Sequence, residues 1–491
     1  MPRRLPTIVT SIADKMRASA FPPRLMALWE AFSQAANPLF IITAAWALLT
    51  VPLVFLRGYN SDEGLLVTIA RGAIENGYWI TPHVFNTRII ERPTGLAWII
   101  AAFSLPFGSV SQITARLPIV LFLLGGCLLI YMLLRRVGSS LAAALLGVAL
   151  FLACPLVLRA YEMTTADMPL AVLLFAAFVL WWIGCERGDI SIGRWVAIGG
   201  VLALACLLKG PEPIGYFALG IGAFILWTRS WRQIPGFVLA GIICVIPTAA
   251  WYIYVFQPGD LTQWSHYMRL TSPAVLHGGI KATLGLLNDI MPLTFIAVLF
   301  PWAQRERGKA SLPPNFVKAI LCYAFVATVL IAVWPGGSAP RYYFPMIPAL
   351  CVIGGLCYDA LADKRPWLLV PGMVVMFALL AYGFVYSLVA APLMPWQFRS
   401  TKLYGAQITK LVQAAPAPIY FTDGVGMNVF PYVPSPIVNT DMQALETVHG
   451  PAWIAVFPKD AKILMAKLPD TLHDVLTFGR YHQWRLLRLD K

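Results

Sequence analysis

Charge is what this sequence has least of. Asp, Glu, Lys and Arg make up 12% of its 491 residues against 59% hydrophobic residues, far too little polar surface to solvate a chain of this length as a water-soluble fold. Cysteine is scarce where it would be informative. All eight cysteines (127, 154, 185, 206, 244, 322, 351 and 357) lie in apolar runs or at their edges. This excludes a disulfide framework and a CxxC metal pair in the C-terminal hundred residues. The N-terminus has basic residues but no short apolar segment followed by a small-residue cleavage site, so it is expected to lead, on the cytoplasmic side, into a first anchor that stays.

What the chain has instead is long hydrophobic runs. They fall near 38–56, 116–134, 141–158, 167–185, 194–209, 213–228, 236–256, 286–301, 317–334, 342–358 and 367–390. Each approaches the length that crosses a ~30 Å hydrocarbon layer as a helix. Seventeen Trp and eighteen Tyr, many at run ends, fit interfacial belts. The net charge of +14 does not read as a nucleic-acid surface. Its residues cluster in every second loop (Arg3 to Arg24, Arg135-Arg136, Arg229 to Arg232, Arg305 to Lys309, Lys364-Arg365), the positive-inside pattern of a polytopic protein.

The segments between runs suggest the organisation. Residues 1–37 read as a cytoplasmic segment, 38–390 as a transmembrane domain with a first outer loop over 57–115, and 391–491 as an outer α/β domain. In the first loop, Asp62–Tyr78 carries Leu65, Leu66, Ile69 and Ile74 at helical spacing, which predicts an amphipathic helix along the interface. Thr94–Phe107 is apolar but short, and predicts a juxtamembrane or re-entrant helix. After Ala391, a helix-like Pro395–Ala414 is followed by strand-like runs at Pro418, Pro436, Ala452 and Trp484.

Loop parity gathers the polar residues on one membrane face. Asp62, Glu63, Glu91 and Arg92 fall in the first outer loop, Asp167 opens a span and Lys209 closes one. His266 and His277 lie in a second outer loop, and Arg341-Tyr342 precedes a span on the same side. Each has a plainer role open to it: Lys209 and Arg341 as interfacial cations, Asp167 as a helix cap, His266 as a solvated loop histidine. Asp62 and Glu63 are neighbours on a helix and face different directions, so one is expected to do chemistry, with Asp62 preferred, and the other to pair locally.

The motifs in order are Gly77-Tyr-Trp-Ile-Thr-Pro-His, Glu91-Arg-Pro-Thr, Ala115-Arg-Leu-Pro, Thr164-Thr-Ala-Asp-Met-Pro, Leu208-Lys-Gly-Pro and Arg341-Tyr-Tyr-Phe-Pro. With the Asp-Glu after the first span, this set resembles the GT-C superfamily of polyprenyl-phosphate-sugar-dependent glycosyltransferases, in particular its protein O-mannosyltransferase and lipid A aminoarabinose transferase group. Arg92 and Thr94 replace the second and fourth residues of the E-K-P-P motif, and an extra Ala166 precedes Asp167. These departures bear on the donor sugar rather than on the superfamily.

The resemblance implies an all-α membrane protein of about 11–13 transmembrane helices, GT-C in type, with a small periplasmic α/β domain at its C-terminus. It implies a bacterial inner-membrane enzyme with its active site facing the periplasm. A sugar would move, with inversion, from a polyprenyl-phosphate donor to lipid A or lipopolysaccharide, and protein O-glycosylation is the alternative within the superfamily. Carried over are Asp62, Asp167 and Lys209; Asp62 and Asp167 are expected to be catalytic, Lys209, Arg92 and Arg341 are the cations available to the donor phosphate, and Glu63 and Tyr342 are expected on substrate. Glu91 and His266 are counterparts of residues that can hold a divalent ion. Membrane lipids, the lipid-linked donor and the envelope acceptor are the expected partners, and nucleic acid is not. From a different class, a lipid or sugar transporter predicts mid-span charges, paired broken helices and internal repeats; here the charges sit at span ends and no repeat is found.

Overall fold

The computed structural model describes residues 19–60, 62–161, 163–188, 190–267, 285, 287–307, 312–326, 329, 340–422, 424–467, 472–479 and 483–490. Among these, seven helices are long and apolar enough to cross a membrane, and four shorter apolar helices accompany them. In hydrocarbon every backbone N–H and C=O needs an internal partner, which is why apolar runs become helices rather than open strands. The chain is a multi-pass membrane protein.

The helices that position the site are α1 (Phe21–Gln34), α2 (Pro38–Leu56), α3 (Glu63–Asn76), α4 (Gly95–Ser104), α5 (Gln112–Arg136), α6 (Leu141–Ala153), α7 (Asp167–Glu186), α8 (Ile192–Lys209), α9 (Glu212–Thr228), α10 (Ile234–Val255), α11 (Asp260–Tyr267), α12 (Leu293–Arg307), α13 (Ile347–Leu361) and α14 (Pro366–Val385). Local sequence sets several of their ends. Asn37 accepts the Leu39 N–H at 2.9 Å ahead of Pro38, and Ser111 and Thr114 form a reciprocal capping box at the start of α5. Gly77, at φ 73°, ends α3 in the left-handed conformation that glycine adopts without strain.

Helix α13, with its preceding turn from Arg341, is the centre of the bundle, 94% of its apolar stretch being buried against 28% for α2. Lipid tails offer no hydrophobic drive for helix association, so close approach through small residues has to supply the packing. A Cβ on Gly355 would lie 2.7 Å from the Ala143 carbonyl of α6, and one on Gly147 would lie 2.7 Å from Leu134 of α5. The helices α5, α6 and α13 therefore meet backbone to side chain.

The amphipathic reading of Asp62–Tyr78 and the short helix expected at Thr94–Phe107 correspond to α3 and to α4 with its 3-10 turn Leu105–Phe107. Between them lies a two-stranded hairpin, β1 (His83–Val84) with β2 (Thr87–Arg88), which the sequence did not announce. The expected spans at 286–301 and 317–334 lie partly outside the described residues, as does His277 entirely.

Beyond helix α15 (Pro395–Ala414), strands β3 (Ile419–Phe421), β4 (Ile437–Asn439), β5 (Ala452–Val456), β6 (Leu472–Phe478) and β7 (Trp484–Leu489) form a sheet in the order β4-β3-β5-β7-β6. β3 is parallel to β4 and β5, and β7 is antiparallel to β5 and β6. β5 is buried at all five positions: Trp453 and Ala455 face α15, whereas Ile454 and Val456 face helix α16 (Pro458–Lys467). A central strand covered on both faces needs a continuous apolar run, which Ala-Trp-Ile-Ala-Val supplies. β6 mixes His473 and Asp474 with Leu and Phe at a sheet edge, which is why it gave no strand signal.

This unit docks on the first loop. The Tyr59 N–H donates to the Tyr432 hydroxyl at 3.0 Å, with the two rings stacked 4.6 Å apart, and the Gly64 N–H donates to Asn428 at 2.9 Å. Burial pushes both phenols well above their ordinary range, so both stay neutral.

Candidate active site

The segment 57–64 is held by a buried ion pair. Glu63 is 0% exposed and Arg116 1%. Arg116 gives Nε and one terminal nitrogen to the two Glu63 oxygens, each at 2.8 Å. Its remaining donors reach the carbonyls of Leu53, Arg57 and Gly58. Glu63 also accepts the backbone N–H groups of Asn60 and Thr164 and the Thr164 hydroxyl. Guanidinium and carboxylate are thus satisfied by a bidentate pair and by backbone, the condition under which a buried charge pair is tolerated.

Glu63 is therefore not at the cleft, which corrects its expected place among the substrate-binding residues. Its partner is also not local but lies 53 residues away on α5. Arg116 had no role assigned from sequence. The signal that could have found it is the Ser111 cap, which starts the helix one turn before Arg116 and so draws the arginine into the span, where an unpaired charge is costly.

What the pair positions is Asp62. It sits at the N-cap of α3, yet its side chain makes no capping bond. The carboxylate lies 3.2 Å from Arg341, with 37% and 43% of the two side chains exposed. It looks into a cleft whose walls include Asp62, Leu66, Glu91, Arg92, Thr94, Asp167, Lys209 and Arg341. Six residues named from the sequence thus converge, drawn from the α3 and α4 starts, the α7 start, the α8 end and the turn before α13.

Opposite Asp62, Lys209 donates to Asp167 at 2.6 Å, with Glu212 at 3.5 Å and the Tyr342 ring 4.5 Å from the ammonium. Both partners of the 2.6 Å pair are buried. Asp167 is the first residue of α7, and Ala166 occupies the cap, so the carboxylate is committed to Lys209 rather than to helix N–H groups. The Tyr342 ring also lies 5.8 Å from the Arg341 guanidinium, and its carbonyl accepts the Tyr216 hydroxyl at 2.7 Å. The cleft thus holds one tight, dry ion pair and one looser, half-exposed one.

Glu91 stands 3.7 Å from Arg92, and its carbonyl accepts the Trp264 indole N–H at 3.1 Å, which brings α11 alongside. α11 is tied down by Asp260, which meets Arg88 at 2.7 Å. The Gln257 N–H, then Arg88, hold the Asp260 carboxyl below its usual range. His266 lies on α11, and its side chain is outside the described ones. Among the described residues no three of His, Cys, Asp or Glu converge as a ligand set. Of the expected ion-holding pair, Glu91 lines the cleft and the His266 side chain is not among the described ones.

A groove between α9 and α10 is lined by Pro211, Ile214, Val245, Ala249, Ile253, Leu261 and Trp264. Over 91% of this chain and 97% of the other, the structure superposes on ArnT from Cupriavidus metallidurans bound to undecaprenyl phosphate, with a TM-score of 0.71 at 19% identity.

The fold is of the GT-C type.

The archaeal oligosaccharyltransferase AglB from Archaeoglobus fulgidus shares the architecture more distantly, with a TM-score of 0.50 at 11% identity over 89% of this chain and 68% of the other. Residues 91–254 match the family model described as dolichyl-phosphate-mannose-protein mannosyltransferase. Among curated relatives, the undecaprenyl phosphate-alpha-4-amino-4-deoxy-L-arabinose arabinosyl transferase of Erwinia tasmaniensis is 23% identical over 76% of this chain and 68% of its own length. That of an Enterobacter species is 22% identical over 78% and 69%.

Proposed function

We propose that this protein is an integral-membrane glycosyltransferase of the inner membrane that moves a sugar from a polyprenyl-phosphate donor to lipid A or lipopolysaccharide at the periplasmic face. The observation that carries the reading is the convergence of Asp62, Asp167, Lys209 and Arg341 in one cleft that α11 links to an apolar groove. The relatives' names and the bound lipid of the ArnT structure point the same way.

In the reaction the bond between the anomeric carbon and the phosphate oxygen breaks, and the electron pair leaves with the phosphate. Polyprenyl phosphate needs no proton to depart, but its developing charge needs fixed cations. Lys209 is held rigidly by Asp167, whereas Arg341 is shared with Asp62 across 3.2 Å. An incoming phosphate competes with Asp62 for Arg341 and can take it in a bidentate grip. Release from Arg341 leaves the Asp62 carboxylate free to accept the proton of an acceptor hydroxyl as that oxygen attacks the face opposite the phosphate, inverting the anomeric centre. An acceptor that is already an anionic phosphate needs no base, and Asp62 then orients it.

The deciding experiment is mass spectrometry of lipid A and core from cells with and without the gene, complemented by wild type or Asp62→Asn. Loss of one sugar mass in the null, restored by wild type and not by Asp62→Asn, is the expected result. Unchanged lipid with a lost glycopeptide mass would move the acceptor to protein, the chemistry in the matching family model's description.

A further inference from the structure

Thr94 is the N-cap residue of α4, the position at which a threonine hydroxyl ordinarily accepts a backbone N–H of the first turn. Here it does not. The backbone is at φ −107°, ψ 36°, and the side chain makes no capping bond. Thr94 is only 4% exposed, and its hydroxyl has no hydrogen-bond partner among the described residues. An uncapped, buried, unpaired hydroxyl carries a desolvation cost that protein interiors rarely leave uncompensated.

Its surroundings indicate what compensates it. A Cβ on Gly95 would lie 2.6 Å from the Leu207 carbonyl, so the start of α4 is pressed against the end of α8, immediately before Lys209. Thr94 lines the same cleft as Arg92 and Lys209. An acceptor-rich anion that draws on Arg92 and Lys209 would meet this hydroxyl's unused donor. Threonine is stiff at χ1, so its donor is positioned before the ligand arrives.

Resting on the donor class proposed above, we infer that the Thr94 hydroxyl donates a hydrogen bond to the phosphate of the lipid-linked donor, between Arg92 and Lys209. Thr94 is a positioning residue: it fixes the phosphate where the two cations neutralise it and takes no proton itself. Arg92 and Lys209 supply charge, and Thr94 supplies direction.

The test is titration of the full-length protein in nanodiscs with undecaprenyl phosphate, which bears no sugar, comparing wild type with Thr94→Val, Thr94→Ala and Thr94→Ser. Loss of a hydrogen bond to a charged group predicts affinity roughly tenfold weaker or worse for Val and Ala. Ser should restore it, and Val, which removes an unpaired buried hydroxyl without opening a cavity, should melt no lower than wild type. Wild-type affinity in the Val and Ala variants overturns the inference, and so does weakening that Ser shares. Unchanged affinity for the sugarless lipid with a raised KM for the sugar-bearing donor also overturns it, by moving the contact from phosphate to sugar. Failure of wild type itself to bind the lipid would instead sink the donor class, and this inference with it.

Discussion

Asp62→Asn removes a carboxylate that caps no helix and meets a half-exposed arginine at 3.2 Å, so the fold should hardly register the change. Turnover with a hydroxyl acceptor should fall by roughly 100- to 10,000-fold, the usual contribution of a general base. The next residue behaves oppositely. Glu63→Gln leaves the Arg116 guanidinium buried without its counter-charge, and breaking such a pair costs about 3–5 kcal/mol. Thermal unfolding in detergent with parallel turnover assays separates the two variants. An Asp62→Asn protein that melts early, or a Glu63→Gln protein that melts like wild type, would reverse these assignments. The sequence brought Asp62 forward through its place after the first span. It could not rank Glu63, because a carboxylate's role depends on a partner chosen from the whole fold.

At the scale of elements, α3 is the hinge of the design: its start carries Asp62, its first turn is pinned by Arg116, and its flank receives the C-terminal sheet unit. Gly64 is where backbone meets backbone. A Cβ there would come within 2.1 Å of the Met427 carbonyl and 2.8 Å of the Asn428 side chain that accepts its N–H. Gly64→Ala should therefore push the 426–432 turn away at a cost of about 1–3 kcal/mol. Faster hydrogen exchange at Tyr59 and around 426–432, with the helical bundle unchanged, is the expected signature. Unaltered exchange there would mean that the docking does not depend on this contact. The helices α3 and α4 were legible from their spacing of apolar residues. The hairpin at 83–88 and strand β6 were not, since strands of two residues, or with polar edges, carry no period to read.

For the whole molecule, α11 links the charged cleft to the apolar groove between α9 and α10, since Trp264 lines the groove and donates to the carbonyl of Glu91, while Asp260 meets Arg88. Ala249→Trp would fill the groove without touching the cleft. The KM for a long-chain polyprenyl donor should then rise roughly tenfold, as expected for about 1.4 kcal/mol of lost apolar contact. A short-chain water-soluble donor should be affected far less. Equal effects on both donors would place the lipid tail elsewhere.

The sequence by itself determined the membrane-spanning class, most of the helices and six of the residues that line the cleft. Hydrophobicity sums over a window of neighbouring residues, and in lipid a long apolar window has one backbone solution, so chain order suffices to read it. Tertiary structure alone decided which carboxylate is free and which is locked. It also chose Arg116 as the lock, seated the C-terminal sheet on Gly64, and left the Thr94 hydroxyl unpaired in the cleft wall. Those outcomes are pairings between residues tens to hundreds of positions apart. Their energies come from distance, burial and the absence of water, none of which exists until the helices have packed.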